Sequence, residues 1–305
     1  MSKFLDKLDL IILSELDKDC RAPISAIAKK IRKSPQYVKY RVQRLQDEQI
    51  IKGVTIFTDL QENQQEVYCF MKFKGTDVVA EKTLMDFLFK MPETHRLFYC
   101  DGEYEIIATL IIRDIEQLNK ITENILTNFS NIDSLFFNTV GLSEIYLKKY
   151  LQNNDVNTIA IKKSTIDIFG KSVVNAMQNT PFATLLELSQ ILKVTYDKIK
   201  YYFKNNKPYL GSRLLLSERF IKKSMLCIDI QKDFEKFIQY ARIHPNIVQI
   251  DQLAGLYNYA IYFESLPENE LNRISRQALY DFKNSIRTHM KLEIIQTYKY
   301  RWIDA

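Results

Sequence analysis

The chain has 305 residues, of which 46% are hydrophobic and 26% charged, and its formal net charge is +6. This length and apolar content are sufficient for large cores and for more than one domain. No apolar run approaches the roughly 20 residues of a membrane span, and the start of the chain does not resemble a signal peptide. We therefore expect a cytoplasmic protein that does not enter a membrane.

The four cysteines and three histidines offer little for metal or redox chemistry. Cys20, Cys69, Cys100 and Cys227 show no CxxC or other metal-ligand spacing, so we expect reduced, mostly buried thiols. Oxidation sensing by Cys69 and Cys100, on predicted paired strands, is the less favoured alternative. The sequence therefore predicts neither a metal nor a cofactor.

Charge is unevenly spread along the chain. Residues 1–60 hold 12 basic and 8 acidic residues, whereas residues 61–160 hold 9 and 15. The remaining residues hold 22 and 14. A basic module followed by an acidic one indicates that phosphate contacts lie on the first module and that the second has another role.

The first predicted elements are two short helices, a three-residue turn and a third helix. The first helix has apolar residues at helical spacing, namely Leu5, Leu8, Ile12, Leu13 and Leu16. The second covers residues 23–31 and has a similar stripe, namely Ile24, Ile27, Ala28 and Ile31. The turn Arg32-Lys33-Ser34 suits the tight angle of a helix-turn-helix. After the third helix, residues 50–57 change to β-branched residues around Gly53, as a wing or a connecting strand would.

The third helix is the predicted recognition helix. Ser34 is a good N-cap and Pro35 suits the first helical position. Val38, Val42 and Leu45 form one apolar stripe, while the opposite face is polar with cationic flanks. Such a helix is suited to a DNA major groove. A solvated amphipathic helix is the alternative, but the neighbouring helices favour a winged helix-turn-helix.

Seven residues of this unit are the predicted contacts to double-stranded DNA: Ser34, Gln36, Tyr37, Lys39, Tyr40, Arg41 and Arg44. Gln36 and Tyr40 are expected to read bases, while Lys39 and Arg44 anchor phosphates. Packing within the protein is the alternative for both tyrosines. Arg41 borders the apolar stripe, so an internal salt bridge is as reasonable for it as a phosphate contact.

The acidic segment predicts a β-α-β-β-α-β order. Strands are expected at residues 67–73, 96–100, 104–111 and within 134–148, with helices at 78–90 and 114–129. Asp101-Gly102-Glu103 separates the middle two strands and is a hairpin signal. This order is the ferredoxin-like split motif, so the fold class is α+β.

The two segments together resemble the leucine-responsive regulatory protein/AsnC (Lrp/AsnC) family of transcription regulators. The resemblance lies in residues 8–16, in Asp19-Cys20-Arg21 and in residues 34–42. It implies a winged helix-turn-helix followed by a βαββαβ domain for effector binding and assembly. The family's glycine turn is similar to Gly102-Glu103-Tyr104-Glu105, with glutamate here for the usual aspartate. The resemblance implies that Asp101, Gly102 and Glu103 touch a small effector such as an amino acid, although a plain β-turn also explains the glycine.

The second half of the chain repeats the first. A shift of 161 places six apolar helix-turn-helix positions on Val174, Met177, Leu188, Leu192, Ile199 and Phe203. A shift of 153 places Pro92 on Pro245 and Gly102 on Gly255, so we expect eight residues to be lost in the connector. The predicted domains are 1–60, 61–152, 153–215 and 216–305, with a polar linker at Gln152-Asn153-Asn154-Asp155.

The second recognition helix differs where function is expected. Asp197 replaces Gln36, Lys198 replaces Tyr37, and Asn206 replaces Leu45 before Lys207-Pro208 ends the helix early. The first-turn aspartate either serves the helix dipole, which we favour, or accepts from cytosine. Four residues are predicted to contact DNA here, mainly its backbone: Lys198, Lys200, Tyr201 and Lys204.

Three functions remain open. The favoured function is a sequence-specific transcription regulator whose halves form a pseudo-dimer within one chain. Further homo-oligomerisation is left open. An architectural or RNA-binding protein with little sequence preference is the alternative, but no RNP1-type motif is present. An enzyme is disfavoured because no catalytic triad, paired carboxylates, P-loop or dinucleotide fingerprint is visible.

Overall fold

The computed structural model describes residues 5–57, 60, 63–75, 77–152, 158–159, 167–180, 183–206, 211–267 and 269–300. Most of the predicted linker, at 153–155, and Lys207-Pro208 lie outside these residues. The first helix-turn-helix unit consists of α1 (Lys7–Lys18), α2 (Ile24–Ile31), α3 (Pro35–Asp47) and β1 (Ile51–Phe57). α1 begins at Lys7, two residues after Leu5, because the Asp6 side chain caps the helix by accepting from the Asp9 amide.

The first sheet domain has the predicted βαββαβ order. Its elements are β2 (Gln65–Phe73), α4 (Val78–Lys90), β3 (Thr94–Gly102), β4 (Ile106–Ile112), α5 (Ile115–Asn128) and β5 (Ile132–Tyr146). The strands lie in the order β3-β4-β2-β5, which is the ferredoxin-like arrangement. Val78 and Ile115 are apolar, but they lie in the first turns of α4 and α5 and are 75% and 69% exposed.

The second half contains the same elements. A short strand β6 (Thr158–Ile159) precedes α6 (Ile168–Asn179), α7 (Leu185–Ile191), α8 (Tyr196–Asn206) and β7 (Gly211–Leu216). The second sheet domain is β8 (Lys222–Ile230), α9 (Phe234–Ile243), β9 (Ile247–Ala254), β10 (Tyr259–Ser265), α10 (Leu271–Asp281) and β11 (Ile286–Tyr300).

The eight residues missing from the second half are not lost in one connector. Met71 pairs with Ile106, and Ile228 pairs with Tyr259, which is the equivalent of Ile106 at the shift of 153. Met71 and Ile228 are separated by 157, so β2 and β8 align at an intermediate shift. The expectation of a single shortened connector is therefore wrong: length is lost both before and after this strand.

The two sheets join into a closed ring. β3 pairs with β11 and β5 pairs with β9, both antiparallel, so that eight described strands follow one another around the ring. Inside the ring lies one apolar core with side chains from both copies, including Phe70, Phe98, Val140, Met225 and Leu292. The helices α4 and α5 cover one sheet from outside, and α9 and α10 cover the other.

The two helix-turn-helix units also share one core. β1 pairs with β7 in an antiparallel ladder from Ile51↔Leu216 to Phe57↔Gly211. Thus the strand after each recognition helix pairs with its counterpart in the other copy. Each of these strands is a connecting strand and not half of a wing hairpin. Residues such as Leu13, Val38 and Val174 belong to the same buried cluster. These two cores therefore contain residues of both copies, and neither lies within a single one of the four predicted domains.

A buried polar layer connects the helix-turn-helix pair to the sheets. The Asp17 carboxylate accepts from the amides of Lys148, at 2.8 Å, and Leu214, at 3.3 Å. The Lys148 ammonium donates to Glu264, and the Arg213 guanidinium lies 3.4 Å from the same carboxylate. All four ionisable side chains are buried, so their charges are compensated by one another rather than by water.

A second buried cluster lies between the sheets, next to this layer. Arg96 is fully buried and donates to Glu66, with Asp251 at 3.9 Å on its other side. The Tyr68 hydroxyl is bonded to the Asp251 carboxylate and lies 2.8 Å from the Tyr262 hydroxyl. One arginine thus lies between two carboxylates contributed by different copies.

The cysteines behave as core residues. Cys20, Cys69, Cys100 and Cys227 are each buried and form no disulfide. Burial raises the pKa of the Cys69, Cys100 and Cys227 thiols, and it raises the pKa of Cys20 to about 11. Such thiols are poor nucleophiles, which favours the core role over oxidation sensing. In the described part of the chain, no helix has the length and apolarity needed to cross a bilayer.

Glu264 should make the stability of the chain depend on pH. Burial opposes its ionisation, but Lys148, Arg213 and Lys223 together lower the pKa of this carboxyl from 4.5 to about 2. A lowered pKa stabilises the fold above the unfolded value, so this contribution is lost as the pH falls from about 4.5 towards 2. We expect Glu264 to account for about 3 kcal/mol of the fall in the free energy of unfolding over this range, measured by urea unfolding.

The variant Glu264→Gln should lose this part of the pH dependence. The control Glu116→Gln removes a carboxylate whose side chain is 74% exposed, and it should keep the wild-type profile. An unchanged acid slope in Glu264→Gln would contradict the assignment.

Separating the copies should expose the shared core. A fragment of residues 1–152 keeps one half of each paired core, including the apolar side chains of Phe70, Phe98 and Val140. We expect this fragment to self-associate by a symmetric contact that replaces the missing half, as seen in sedimentation velocity. A well-behaved monomer at micromolar concentration would count against the pseudo-dimer.

Candidate nucleic-acid interface

The turn between α2 and α3 has a defined geometry. Arg32 ends α2 in the left-handed conformation, with φ of 55°, and the Lys33 amide donates to the Ala28 carbonyl at 3.0 Å. Ser34 then caps α3, its hydroxyl accepting from the Tyr37 amide at 3.2 Å. These local bonds set the angle at which the recognition helix leaves the turn.

α3 has an apolar back and a polar front. Val38, Val42 and Leu45 are buried in the shared helix-turn-helix core, as the stripe predicts. Gln36 and Lys39 are exposed, and Tyr40 is 67% exposed. An exposed amide, phenol and ammonium on successive turns of one face are groups that can meet base edges and phosphates.

Arg41 and Arg44 do not belong to that front. Arg41 lies 2.6 Å from the Asp6 carboxylate and 3.0 Å from that of Asp9, and Arg44 lies 2.6 Å from Asp9. Asp9 is 1% exposed, so removing either arginine would weaken the compensation of a buried charge. Burial opposes ionisation of Asp6, but the Asp9 amide and Arg41 lower the pKa of this carboxyl.

For Arg41 the structure therefore has the internal salt bridge. Arg44, which the sequence predicts to anchor a phosphate, has a 27% exposed side chain that is folded against α1. The sequence signal was present in the spacing of Asp6 and Asp9, which form a capping box at the start of α1.

Tyr37 is half-buried beside this cluster. Its hydroxyl accepts from the Arg41 guanidinium at 2.5 Å, and the centre of that guanidinium lies 4.9 Å from the ring. The tyrosine thus has packing partners within the protein. The Lys33 ammonium also lies 5.8 Å from the Tyr37 ring centroid.

Several exposed cations near the turn were not singled out from the sequence as contacts. Lys29, Arg32 and Lys33 are exposed around the end of α2, next to the start of α3. Lys30 is also exposed, but its ammonium is 2.7 Å from Glu15. The signal that could have found these cations is their position in the turn, because the N-terminal end of a recognition helix lies closest to the DNA backbone.

The second copy repeats the turn but not the front. Lys193 has φ of 52° where Arg32 has 55°, and the Lys198 amide donates to the Thr195 hydroxyl at 3.3 Å. Lys200 and Lys204 are exposed, and Tyr201 is 71% exposed. The ammonium of the exposed Lys198 lies 4.3 Å from the Phe169 ring centroid. The side chain of Asn206 lies outside the described residues.

The charge cluster of the first copy is absent from the corresponding described positions. Asp9, Arg41 and Arg44 correspond at the shift of 161 to Gly170, Tyr202 and Asn205. Tyr202 is buried, and its ring meets that of Phe169 edge to face at 5.4 Å. An ionic attachment of the recognition helix is thus replaced by an aromatic one.

The Asp101-Gly102-Glu103 turn is exposed and lies beside the other copy. Gly102 has φ of +148°, and a Cβ there would lie 2.7 Å from Leu292 Cδ2 and 2.9 Å from the Lys291 carbonyl oxygen. Gly255, its equivalent, has φ of +150° and packs against Asn138 in the same way. Close pairing of strands between the copies therefore explains both glycines, and neither requires a ligand.

Among the residues that the structure describes, no three His, Cys, Asp or Glu side chains are grouped as a metal site requires.

A family model for winged helix-turn-helix DNA-binding domains matches residues 5–52. The HTH-type transcriptional regulator LrpA of Pyrococcus horikoshii is 35% identical over 124 residues, which are 39% of this chain and 84% of that protein. The regulatory protein AsnC of Haemophilus influenzae is 27% identical over 117 residues, 38% of this chain and 78% of that protein.

Among solved structures, the siroheme decarboxylase NirDL matches the whole architecture. The TM-score is 0.60, and the match covers 98% of this chain and 94% of that chain. The sequences are 13% identical over this match, so the likeness is one of fold alone.

Proposed function

Because the chain belongs to the Lrp/AsnC family of helix-turn-helix transcriptional regulators, we propose that it binds DNA with sequence preference and regulates transcription as a single-chain pseudo-dimer. The observation that carries the proposal is the exposed polar front of α3, next to cations at the turn. The shared helix-turn-helix core and the β1–β7 ladder hold the two recognition helices in one rigid unit. A dimeric DNA-binding protein obtains the same pairing from two chains.

Within α3, base reading and phosphate contact belong to different residues. Gln36 and Tyr40 are assigned to bases because an amide can form two hydrogen bonds with adenine and a phenol can donate or accept. Phosphate contact is assigned to Lys39 and to Lys33 at the turn, since both ammonium groups are exposed. Arg44 is left out because its charge compensates Asp9.

The second recognition helix is assigned to the DNA backbone. Lys198, Lys200 and Lys204 supply positive charge, while Tyr201 is exposed at the position equivalent to Tyr40. Asp197 in the first turn of α8 would be repelled by phosphate and is placed to favour the helix dipole. This helix therefore adds affinity with little sequence preference.

We propose that the chain binds DNA and does not catalyse a reaction. This is supported by the similar proteins, which are named as regulators. A small effector such as an amino acid remains part of the proposal. The turn at Asp101 to Glu103 is accessible to it, although Gly102 is already explained by packing.

Single substitutions should separate the two kinds of contact. Gln36→Ala should cost about 1–3 kcal/mol on the preferred site and little on random duplex, because a base contact is lost. Lys39→Ala should weaken both and lower the slope of log K against log salt by about one unit. Fluorescence anisotropy across a salt series measures both effects, with a site selected from random duplexes.

The control for these variants is Lys120→Ala, which removes an exposed lysine of the acidic module, paired with Glu116. It should leave binding unchanged. Equal losses on selected and random DNA for Gln36→Ala would remove Gln36 from base reading.

The DNA site selected from random duplexes should be asymmetric. The two helices present different groups, so one half-site should be well defined and the other, about one helical turn away, degenerate. Gln36→Ala with Tyr40→Phe should abolish site preference, whereas Lys198→Ala with Lys200→Ala should weaken binding at every sequence. Both pairs are read from selection followed by sequencing. A near-perfect palindrome would mean that two α3 helices from separate chains read the DNA, and the single-chain model would be wrong.

A further inference from the structure

The outward face of α10 carries a stripe of cations and hydrogen-bonding groups. The buried side of this helix consists of Leu271, Ser275 and Ala278. The opposite side is exposed, and its polar residues are three and four positions apart, so they lie above one another along the helix. Lys283 continues this side in the turn after the helix, since its ammonium lies 4.5 Å from the Tyr280 ring centroid. The α10 stripe comprises Arg273, Arg276, Gln277, Tyr280 and Lys283.

The positive charge of this stripe is not compensated by acids. In the part of the chain that the structure describes, Arg273, Arg276 and Lys283 form no ion pair. Arg276 also lies near a further cation, Lys291. Burial lowers the pKa of the Lys291 ammonium, Glu293 opposes this shift, and Arg276 reinforces it. Positive charge here faces positive charge, so a bound anion would relieve the repulsion.

The acids of α10 lie at its two ends. Glu270 precedes the helix as its N-cap residue. Asp281 is the last residue of the helix, and its carboxylate accepts from the Gln277 amide at 2.7 Å. Burial raises the pKa of Tyr240 on α9 to about 12, and Asp281 contributes to this rise, which places Asp281 on the side of α10 that faces α9. The middle of the stripe is therefore cationic.

The helix α5 of the first copy has no such stripe. The buried residues of the two helices correspond at the shift of 153, for example Ala278 with Ile125 and Phe282 with Phe129. At the same shift, the stripe corresponds to Lys120, Glu123, Asn124, Thr127 and Ser130. Lys120 is paired with Glu116 at 2.6 Å. Three unpaired cations in the second copy thus correspond to one paired cation and one acid in the first.

The stripe starts at the end of the ring that carries the DNA-binding units. β10 ends one residue after Glu264, which binds Lys148 and Arg213 in the polar layer next to those units. The last residues of β11 return to the same end, because Tyr300 lines a space together with Lys52 of β1. α10 connects the end of β10 to the start of β11, so it runs from the DNA-binding units towards the opposite end of the ring.

The chemistry of the stripe suits the backbone of a nucleic acid. Arginine and lysine bind phosphate oxygens by charge, and glutamine and tyrosine side chains donate to them as neutral groups. From Arg273 to Lys283 the helix rises by about 15 Å, which corresponds to about four base-pair steps of a DNA strand. A duplex held by the recognition helices is the long polyanion that already lies at one end of the stripe.

We propose that the α10 stripe binds the phosphate backbone of DNA that flanks the recognition site. The inference rests on the proposed function, because it requires a duplex held by α3 and α8. Arg273, Arg276 and Lys283 supply the charge, while Tyr280 donates its hydroxyl to a phosphate oxygen. The flanking DNA bends towards the second sheet domain to reach them. Since α5 lacks the charge, the contact forms on one side of the molecule only.

Two duplexes test this on the full chain by fluorescence anisotropy. One contains only the selected site, and the other extends it on each side by about 15 base pairs, roughly one and a half helical turns. We expect the long duplex to bind about tenfold more tightly at low salt, since phosphate contacts add affinity. Arg273→Gln with Arg276→Gln should remove this gain and leave the affinity for the short duplex unchanged. On the long duplex alone, the slope of log K against log salt should fall by about two units.

Matched variants separate this contact from general charge and from folding. Lys82→Gln with Lys120→Gln removes two exposed lysines from the helices of the first copy and should keep the gain. Arg273→Lys with Arg276→Lys preserves the charge and should keep most of it. Energy transfer between dyes at the two ends of the long duplex should rise on binding of the wild type and not on binding of the glutamine variant.

The outcomes distinguish this inference from the proposed function. No binding of the short duplex would refute the proposed function and this inference together. Normal binding of the short duplex without any gain on the long one would refute the inference alone. A gain that the glutamine variant keeps would also overturn it, and would leave an acidic protein as the partner of the stripe. Equal losses in the glutamine variant and the first-copy control would assign the gain to net charge and not to α10.

Discussion

The pairing of strands between the two copies is the constraint on which the other features depend. β3–β11 and β5–β9 each join one copy to the other, and the closed ring that results encloses a core to which both contribute. Backbone hydrogen bonds at both seams fix the register, because a slip by one residue would turn each inward side chain outward. Gly102 and Gly255 show how tight the seams are, since a Cβ at either position would collide with the opposite strand.

This ring also determines where the recognition helices lie. Each β1 or β7 strand leaves its helix-turn-helix unit towards the sheets, and the two strands pair with each other on the way. The polar layer of Asp17, Lys148, Arg213 and Glu264 then locks that pair onto the ring. Removing one member of a buried ion pair typically costs about 3–5 kcal/mol, whereas an apolar replacement of the whole set is often neutral. The layer is therefore better explained as a device for orientation than as a source of stability.

Much of the fold was accessible from the sequence, because local patterns determine local elements. The stripe of Val38, Val42 and Leu45 predicted the buried face of α3, and the bounds of α4 were predicted to the residue. The βαββαβ order and the internal repeat followed from periodicity and turn residues in the same way.

The candidate site was less accessible, because a charged side chain on a helix edge has two possible partners. Arg44 and Lys39 have the same chemistry in the sequence, and only the position of Asp9 on α1 turns one inward. Asp17 could not be recognised as buried, since its partners Lys148 and Leu214 lie more than 100 residues away in the chain. Arg96 has one partner, Glu66, in its own copy, but the other carboxylate near it, Asp251, belongs to the other copy. Val78 and Ile115 fit the apolar pattern of their helices but are exposed, because the first turn of a helix can project beyond the sheet that the helix covers.

Fusion of the two copies allows each half to change alone. In a homodimer, every substitution is present in both subunits, so a change that harms one function harms it in both. In this chain, Arg41 and Arg44 hold the first recognition helix by charge, while Tyr202 holds the second by an aromatic contact. The two partners of the Tyr99–Glu81 hydrogen bond in the first copy correspond, at the shift of 153, to Gln252 and Phe234 in the second. The shared ring keeps the halves together while the surface of each half changes on its own.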